Sequence, residues 1–386
     1  MNLWNASKSP EKVTTECAKS GSSTKVIVGQ NFDLTCEAGT LTAIAIKKKG
    51  NASIQELNLV IQRLPGLKQI ILDGSNISGD LRDLQAPPDL QRLHLRWCRV
   101  SGNLQDLQKY SLEALKLSGD ISGSLGVLNW SRLTFLDLRH APGVTGDVPM
   151  NRNDSPLRGL WLLGTNASGN LIELLERHPE MVYLHLEGEG FHGTVADQWR
   201  EGVGAKLKEL VLRNTKVEFN MSKRKPKTRK TVERPEPPFP KLAKLDVSGT
   251  ELSMDVWDFL DPLADNYYLS EVRARGCGLS GQVPGIFSAD NFPLYWQVNI
   301  LDLSHNLIDG LEGKPRPAMY LDVSNNPQLA SVAEAYFQER GPMVLDLQKT
   351  DFRMEKEARL RDLNELERFP HPCGLPQPTR SSAGRG

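Results

Sequence analysis

The chain has 386 residues and little of what marks a membrane protein or a disulfide-rich secreted domain. Five cysteines are too few for a disulfide scaffold, and aromatic residues make up only 6% of the chain. No apolar run approaches the ~20 residues that a membrane helix needs, and the first residues lack the apolar segment of a secretory leader. The 47 basic and 47 acidic residues cancel, so no overall charge draws the protein to nucleic acid or to an anionic membrane. These absences predict no membrane span and favour the cytoplasm; if an upstream leader is missing, the protein is extracellular.

Leucine, by contrast, supplies about one residue in seven and recurs in a fixed pattern. The pattern L-x-x-L-x-L begins at Leu41 and continues to Leu347 in about thirteen copies, with central positions 20 to 29 residues apart and one gap of 35. Alternating leucines suit a period-two strand, so each copy predicts one strand and one return segment. Leu136 and Leu184, at central positions, are predicted to be fully buried.

Two further features accompany the repeats. Several copies continue as S-G-x-L, as in ISGDL ending at Leu81 and ISGSL ending at Leu125. A small polar residue, able to hydrogen-bond the backbone of neighbouring coils, follows the last leucine of most copies. These residues are Ser75, Cys98, Thr165, Thr215, Thr250, Cys277, Asn306, Asn326 and Thr350.

The pattern resembles the leucine-rich repeat, and the S-G tail resembles the plant-type subclass found in ectodomains of receptor-like kinases and in polygalacturonase-inhibitor-type proteins. The resemblance implies an α/β repeat solenoid: a leucine-rich repeat horseshoe with a parallel concave β-ladder and a mixed helical and extended convex side. Helical spacing is expected in the return segments that start at Leu171, Met254 and Ser331, and extended structure in the S-G-x-L copies.

The ends of a solenoid need covers, and the chain divides accordingly. Residues 1–40 are predicted to form an N-terminal cap or flank, in which 25–36 form a short strand or hairpin. Residues 41–352 form the solenoid, 353–369 form a C-terminal capping helix with apolar residues at helical spacing, and 370–386 form a disordered tail.

The gap of 35 residues contains a basic insertion at about 218–240, with six basic residues between Lys223 and Lys230. A solvated loop is the favoured interpretation, because aromatic residues for base stacking are missing. A targeting signal or a contact with an anionic partner is the alternative, and nucleic-acid binding is the least favoured.

The cysteines and the sequons point to different compartments. Cys98 and Cys277 occupy the polar consensus position, and Cys373 is left over. The resemblance raises a bridge between Cys17 and Cys36, but the W-x-G-V-x-C signature of the family is missing, so the bridge stays open. Glycosylation requires the secretory route, so the compartment stays open as well. The N-x-S sequons are Asn5, Asn51, Asn76, Asn129, Asn153, Asn166 and Asn220.

One enzyme-like motif occurs, a G-x-G-x-x-G from Gly188 to Gly193 between a predicted strand and the helix-like TVADQW. The repeat register explains these glycines better than a dinucleotide site does. His94 and His185 lie four coils apart, roughly 19 Å at the spacing of parallel strands, which is too far for shared metal ligation. We therefore predict no enzyme, no cofactor and no metal site.

Function is then expected on the concave face, at positions three, five and seven of each copy. Aspartates at position five, such as Asp137, Asp246 and Asp302, follow the consensus and are predicted to be structural or solvated. Coils three to seven instead present aromatic and basic residues, which are typical of interfaces. The candidate partner-binding residues are Arg92, His94, Arg96, Trp97, Phe135, Arg139, Trp161, Tyr183 and His185.

These residues predict a non-catalytic recognition scaffold that binds a protein or peptide across the concave face. Arg92, Lys116 and Arg139 make the patch mildly basic, which favours a partner with acidic groups. The alternative is a sensory or regulatory segment of a larger receptor or enzyme, whose signal, membrane or catalytic parts are absent from this chain.

Overall fold

The computed structural model describes residues 25–28, 32–37, 40–46, 51–149, 156–196, 202–220, 239–263, 266–283, 298–313, 319–337 and 342–353. Its main sheet has fifteen strands. The first two, Lys25–Val28 and Phe32–Glu37, form an antiparallel hairpin, and the second pairs antiparallel with the next strand. The other thirteen pair in parallel, each with its neighbour along the chain, and we number them as coils 1 to 13. They are Thr40–Ile46, Gln69–Ile71, Arg92–His94, Ala114–Lys116, Phe135–Asp137, Gly159–Trp161, Tyr183–Glu187, Glu209–Arg213, Lys244–Asp246, Glu271–Arg273, Ile300–Asp302, Tyr320–Asp322 and Val344–Asp346.

The return segments build two further parallel sheets on the other side of the coils. An eight-stranded sheet consists of Asn51–Ser53, Asn76–Asp80, Arg99–Asn103, Ile121–Ser124, Gly143–Asp147, Asn166–Asn170, Phe191–Ala196 and Lys216–Asn220. A three-stranded sheet consists of Ser280–Val283, Leu307–Leu311 and Ser331–Val332. The S-G-x-L copies are therefore extended, as predicted, and they are hydrogen-bonded to one another.

Helices complete the return segments, and a polar residue at each start explains where they begin. Helix α1 is Ile54–Ile61, with a capping box between Ser53 and Glu56. Helix α2 is Leu171–Arg177, capped by Asn170, and helix α3 is Val256–Leu260, capped by Asp255. Short 3-10 turns occur at Leu81–Asp83, Leu104–Leu107, Leu125–Val127, Asp261–Leu263 and Glu334–Phe337.

Two of the three expected helices are confirmed, at Leu171 and after Met254. The helix expected from Ser331 is wrong in its first part, because Ser331–Val332 pairs as a strand with Leu307–Leu311. Only Glu334–Phe337 turns helically there. The neighbouring extended segment offers a strand edge that local helical spacing does not reveal.

The glycine of S-G-x-L permits close stacking of the coils. Gly102 has φ +138°, and a Cβ on it would lie 2.8 Å from Leu81 Cβ in the coil before. A side chain at this position would therefore push adjacent coils apart.

The core is a single column of leucines that runs through all the coils. Leu136 and Leu184 are 0% exposed, as predicted, and the other central positions are buried up to coil 12. In coil 13, Leu345 and Leu347 are only partly buried, so this end of the column is not covered by described residues. The predicted capping helix beyond Arg353, the tail and the basic run from Lys223 to Lys230 lie outside the described residues.

The consensus polar residues hold neighbouring coils together, as predicted. Asn306 donates from Nδ2 to the carbonyl of Ala274, 2.8 Å away in the preceding coil, and its Oδ1 accepts from the N–H of Cys277 at 2.9 Å. Cys277 in turn donates from Sγ to the carbonyl of Val247 at 3.2 Å. Burial raises the pKa of the Cys277 thiol to about 12, which makes it an unreactive structural group.

Cys98 is likewise a free thiol that bonds the backbone of the preceding coil, with its Sγ 3.2 Å from the carbonyl of Leu72. Cys36 differs, because it is fully buried and disulfide-bonded. Cys17, the partner that the family resemblance raises, lies outside the described residues, so the pairing stays open.

Candidate functional site

The outward side of the fifteen-stranded sheet, which we call the ladder face, carries the predicted partner-binding residues except Trp97, which lies at its edge. Leucines point into the core from each strand, so the residues between them point outward. The structure brings these residues together in three groups, in coils 3 to 7.

The first group is an aromatic stack of Phe135, Trp161 and Tyr183 in coils 5, 6 and 7. The ring centroids of Phe135 and Trp161 are 6.3 Å apart with an interplanar angle of 24°, and those of Trp161 and Tyr183 are 5.7 Å apart at 21°. All three side chains are half-buried, so part of each ring faces solvent. Three rings from three successive strands thus form one continuous apolar surface.

Gly159 makes this stack possible, although sequence reasoning did not single it out. Phe135 and Tyr183 stand at position three of their strands, whereas Trp161 stands at position five, and the residue in register between the two is Gly159. A Cβ on Gly159 would lie 2.4 Å from Trp161 Cη2 and 2.9 Å from Phe135 Cδ1. The indole therefore leans over Gly159 and fills the space that a side chain there would occupy.

His185 supports the stack from its edge. Its ring meets Trp161 at 70°, with centroids 5.8 Å apart, and its Nε2 lies 2.9 Å from Glu209 Oε2. His185 is itself buried, and this burial lowers its pKa although the hydrogen bond and charge of Glu209 act in the other direction. His185 thus holds Trp161 in place and presents little surface of its own.

The second group is an ion cluster around Asp137. Arg96 of coil 3 donates from Nη1 to Asp137 Oδ2 at 2.8 Å, and Arg139 donates to both carboxylate oxygens, at 3.0 and 2.8 Å. Asp73 contacts the same Arg96 at 3.5 Å. Burial alone would raise the pKa of Asp137, but the hydrogen bonds and charge of Arg139 and the charge of Arg96 outweigh it and lower the pKa.

This cluster changes the expected charge of the patch. Arg96 and Arg139 are neutralised by the ladder face itself, so they offer less to an acidic partner than their number suggests. Asp137 is structural, as predicted. In addition to its consensus role, it joins coil 5 to coil 3 through its bond with Arg96.

The third group surrounds His94 in coils 3 and 4. His94 is half-buried, and its Nε2 is buried without a hydrogen-bond partner among the described residues. Burial, with the charge of Lys116 second, lowers the pKa of His94 to about 4, so the ring is neutral at neutral pH. Arg92, two residues before it, is exposed, and Lys116 lies beside it in coil 4.

Trp97 stands apart from these groups, at the edge where the chain leaves the ladder face. Its side chain is 65% exposed, although its backbone has φ +55°, a left-handed conformation that is an outlier for a bulky residue. The N–H of Trp97 donates to Ser118 Oγ at 2.8 Å, and the Arg96 guanidinium lies 4.6 Å from the ring centroid. An exposed indole on a strained backbone adds nothing to the packing of the core, so we expect Trp97 to act at the surface.

The remaining aspartates of the ladder face cap the turns that follow the strands. Asp246, Asp302 and Asp322 accept from the backbone N–H two residues on, at 3.1, 3.0 and 2.9 Å. Asp246 also accepts from Arg213 at 2.7 Å. These contacts confirm the structural role that their consensus position predicts.

The G-x-G-x-x-G run has no dinucleotide-site geometry. Gly188 and Gly190 lie in the turn after coil 7, and Gly193 lies within the strand Phe191–Ala196. The helical interpretation of TVADQW is wrong for Thr194 to Ala196, because that strand pairs with Lys216–Asn220. The run thus joins two strands, whereas a dinucleotide turn leads into a helix.

The described residues contain no group of three or more His, Cys, Asp or Glu side chains that could hold a metal ion. Among the same residues, no helix is long and apolar enough to cross a membrane.

The chain matches no protein-family model and no curated protein. It is similar to solved structures of a TDR receptor (16% identity, 81% of this chain and 52% of that one, TM-score 0.47) and of the Arabidopsis receptor kinase HAESA with a peptide hormone and a co-receptor (17%, 81% and 54%, 0.47). An internalin from Listeria monocytogenes is similar at 14% identity, over 75% of this chain and 86% of that one, with a TM-score of 0.39. The chain spans about half the length of the two receptors.

At these identities and TM-scores, the similarities identify neither a subclass nor a ligand. The fold class rests on the molecule's own thirteen parallel coils and inter-coil polar ladder, which are those of a leucine-rich repeat solenoid. The plant-type subclass stays a prediction.

Proposed function

We propose that this protein is a non-catalytic recognition scaffold that binds a protein or peptide segment on the ladder face of coils 3 to 7. The observation that carries the proposal is the aromatic stack of Phe135, Trp161 and Tyr183. Aromatic side chains with a solvent-facing surface are the residues that most often dominate binding energy.

The stack is held in place before any partner arrives. Trp161 is supported from below by Gly159 and at its edge by His185, which Glu209 holds in turn. The strands beneath it are paired on both sides. Because these rings need little ordering on binding, more of the contact energy appears as affinity.

The length of the ladder face across coils 3 to 7 suits a peptide segment better than a small metabolite. Coils 3 to 7 span four strand steps, roughly 19 Å. A small metabolite favours a closed pocket, whereas an extended chain can lie across successive strands.

The test is selection of a displayed random peptide library on the immobilised protein, in parallel with a Trp161→Ala, Tyr183→Ala variant. We expect enriched sequences on the wild type and loss of their binding on the variant. A Tyr268→Ala variant is the matched control, because Tyr268 is 65% exposed and lies outside coils 3 to 7. Equal binding of the enriched peptides to wild type and to the double variant would contradict the proposal.

The alternative is a sensory or regulatory segment of a larger receptor or enzyme, and one observation favours its receptor form. Cys36 is disulfide-bonded, and stable disulfides are typical of oxidising compartments. This weighs against the cytoplasm. A non-reducing digest of protein from its natural source tests the point: a disulfide-linked peptide that contains Cys36 supports a receptor segment in an oxidising compartment, and a free Cys36 thiol contradicts that form of the alternative.

A further inference from the structure

We propose that Arg92 and Lys116 form a subsite for a carboxylate of the bound segment, and that this subsite and the aromatic stack together select an extended peptide with an acidic residue three or four positions from an aromatic residue or proline. The inference rests on the proposed function and deepens it, by naming the chemistry of the ligand.

The basic residues of coils 3 to 7 differ in whether they have an ion-pair partner. The ladder face there carries four cations, Arg92, Arg96, Lys116 and Arg139. Arg96 and Arg139 are bound to Asp137. Arg92 and Lys116 make no ion pair with any residue in the described ranges.

In later coils, basic residues of the ladder face form ion pairs with acidic residues of the same face. Lys244 pairs with Glu271 at 2.9 Å, and Arg213 pairs with Asp246 at 2.7 Å. Coils 3 and 4 therefore depart from the way the ladder face treats its other basic residues. A carboxylate of a bound peptide would supply the ion-pair partner that Arg92 and Lys116 lack among the described residues.

The two cations are placed to share one carboxylate. In the strand register, Arg92 is opposite Ala114 and His94 is opposite Lys116, so Arg92 and Lys116 lie diagonally on adjacent strands. This diagonal separates their Cα atoms by about 8 Å, which two long side chains can span. His94, opposite Lys116 in the register, is neutral and adds no competing charge.

The ladder-face carboxylates around these cations are already engaged. Asp137 lies opposite Lys116 in the strand register and is bound by Arg96 and Arg139. Asp73 accepts from the backbone N–H of Arg96 at 2.8 Å and contacts its guanidinium at 3.5 Å. It thus belongs to the Asp137 cluster and leaves Arg92 and Lys116 available.

The spacing of the ligand follows from the coil spacing. Trp161 in coil 6 lies two strand steps from Lys116 and three from Arg92, about 10 to 14 Å across the sheet. An extended chain advances about 3.3 Å per residue, so three or four residues separate the group over the stack from the group over the cations. A flat apolar residue, aromatic or proline, suits a surface made of three rings.

The experiment compares peptide selections on four forms of the full chain. They are the wild type, Arg92→Ala with Lys116→Ala, Trp161→Ala, and a control with Arg63→Ala and Lys216→Ala, which removes the same charge away from the ladder face. We expect the wild type and the control to enrich peptides with Asp or Glu three or four positions from an aromatic residue or proline. The acidic preference should vanish on the Arg92, Lys116 variant only, and the aromatic preference on the Trp161 variant only.

Synthetic peptides then measure the coupling. Replacement of the acidic residue by its amide should weaken binding to the wild type about tenfold and leave binding to the Arg92→Ala, Lys116→Ala variant unchanged. An acidic preference that persists in that variant would overturn the inference, as would enriched peptides without an acidic residue at this spacing. A phosphoserine peptide that binds more than tenfold tighter than its glutamate counterpart would overturn the carboxylate assignment. Selection of no peptide at all would instead sink the proposed function.

Discussion

The indole of Trp161 occupies the space above Gly159, its neighbour two residues earlier on the same strand. A Cβ on Gly159 would come within 2.4 Å of the far end of that indole. The aromatic stack therefore depends on a residue that contributes no side chain to it.

This relationship predicts the effect of Gly159→Ala. The added methyl group should displace the indole and break the contact between the rings of Phe135, Trp161 and Tyr183, and binding of the selected peptides should fall at least tenfold. The free energy of unfolding should change by less than about 1 kcal/mol, since the displaced atoms are the half-exposed end of a side chain. Titration with a selected peptide and urea unfolding measure the two effects.

Gly126→Ala is the matched control for that substitution. A Cβ there would lie 3.6 Å from Ser124 Oγ, an ordinary contact far from the stack. Binding that survives Gly159→Ala as well as it survives Gly126→Ala would show that the close packing over Gly159 is not needed.

The left-handed backbone of Trp97 leads to a prediction about the relative stability of two substitutions there. Trp97→Gly should be more stable than Trp97→Ala by about 1 kcal/mol, because only glycine adopts the left-handed conformation at this position without strain. Both variants should lose affinity for selected peptides if the exposed indole contacts the partner. Urea midpoints of the two variants decide the first point: an Ala variant at least as stable as the Gly variant would contradict the strain at Trp97.

Core positions should respond far more strongly than these surface positions. Leu136→Ala and Leu184→Ala each remove a fully buried side chain from the leucine column and should cost about 2–5 kcal/mol in the free energy of unfolding. Leu307→Ala, at a position 45% exposed, should cost less than about 1 kcal/mol. Similar urea midpoints for all three variants would mean that the assigned register is wrong.

His178 makes the fold sensitive to acid. It is 2% exposed at the end of α2, and neither of its ring nitrogens has a hydrogen-bond partner among the described residues. Burial lowers its pKa from 6.5 to about 4. The unfolded chain therefore binds a proton more readily, and the stability present above pH 6.5 is lost as the pH falls toward 4.

The expected loss from His178 is about 2 kcal/mol between about pH 7.5 and pH 5. His178→Phe should remove that part of the pH dependence and keep the part due to His94, whose pKa is also lowered to about 4. Urea unfolding of both proteins at the two pH values gives the comparison. An unchanged pH dependence in the variant would exclude His178 as its source.

The sequence by itself determined the repeat. Leucines at alternate positions can be buried together only in a strand, so the pattern predicts thirteen coils, and their central positions are buried up to coil 12. The polar consensus position was equally predictable, because Asn306 and Cys277 bond only their own coil and the coils next to it. Such local and nearest-neighbour rules are visible in one period of sequence.

The tertiary structure alone decided which outward residues contact one another and which charged residues already have an ion-pair partner. Asp137 lies 41 residues from Arg96, and no spacing rule pairs them; the pairing exists because both side chains reach across coil 4 on one face. Trp161 joins rings at another strand position only because Gly159 leaves the space. Contacts across coils depend on the volumes and charges of side chains from several repeats at once, and a sequence read one repeat at a time does not contain them.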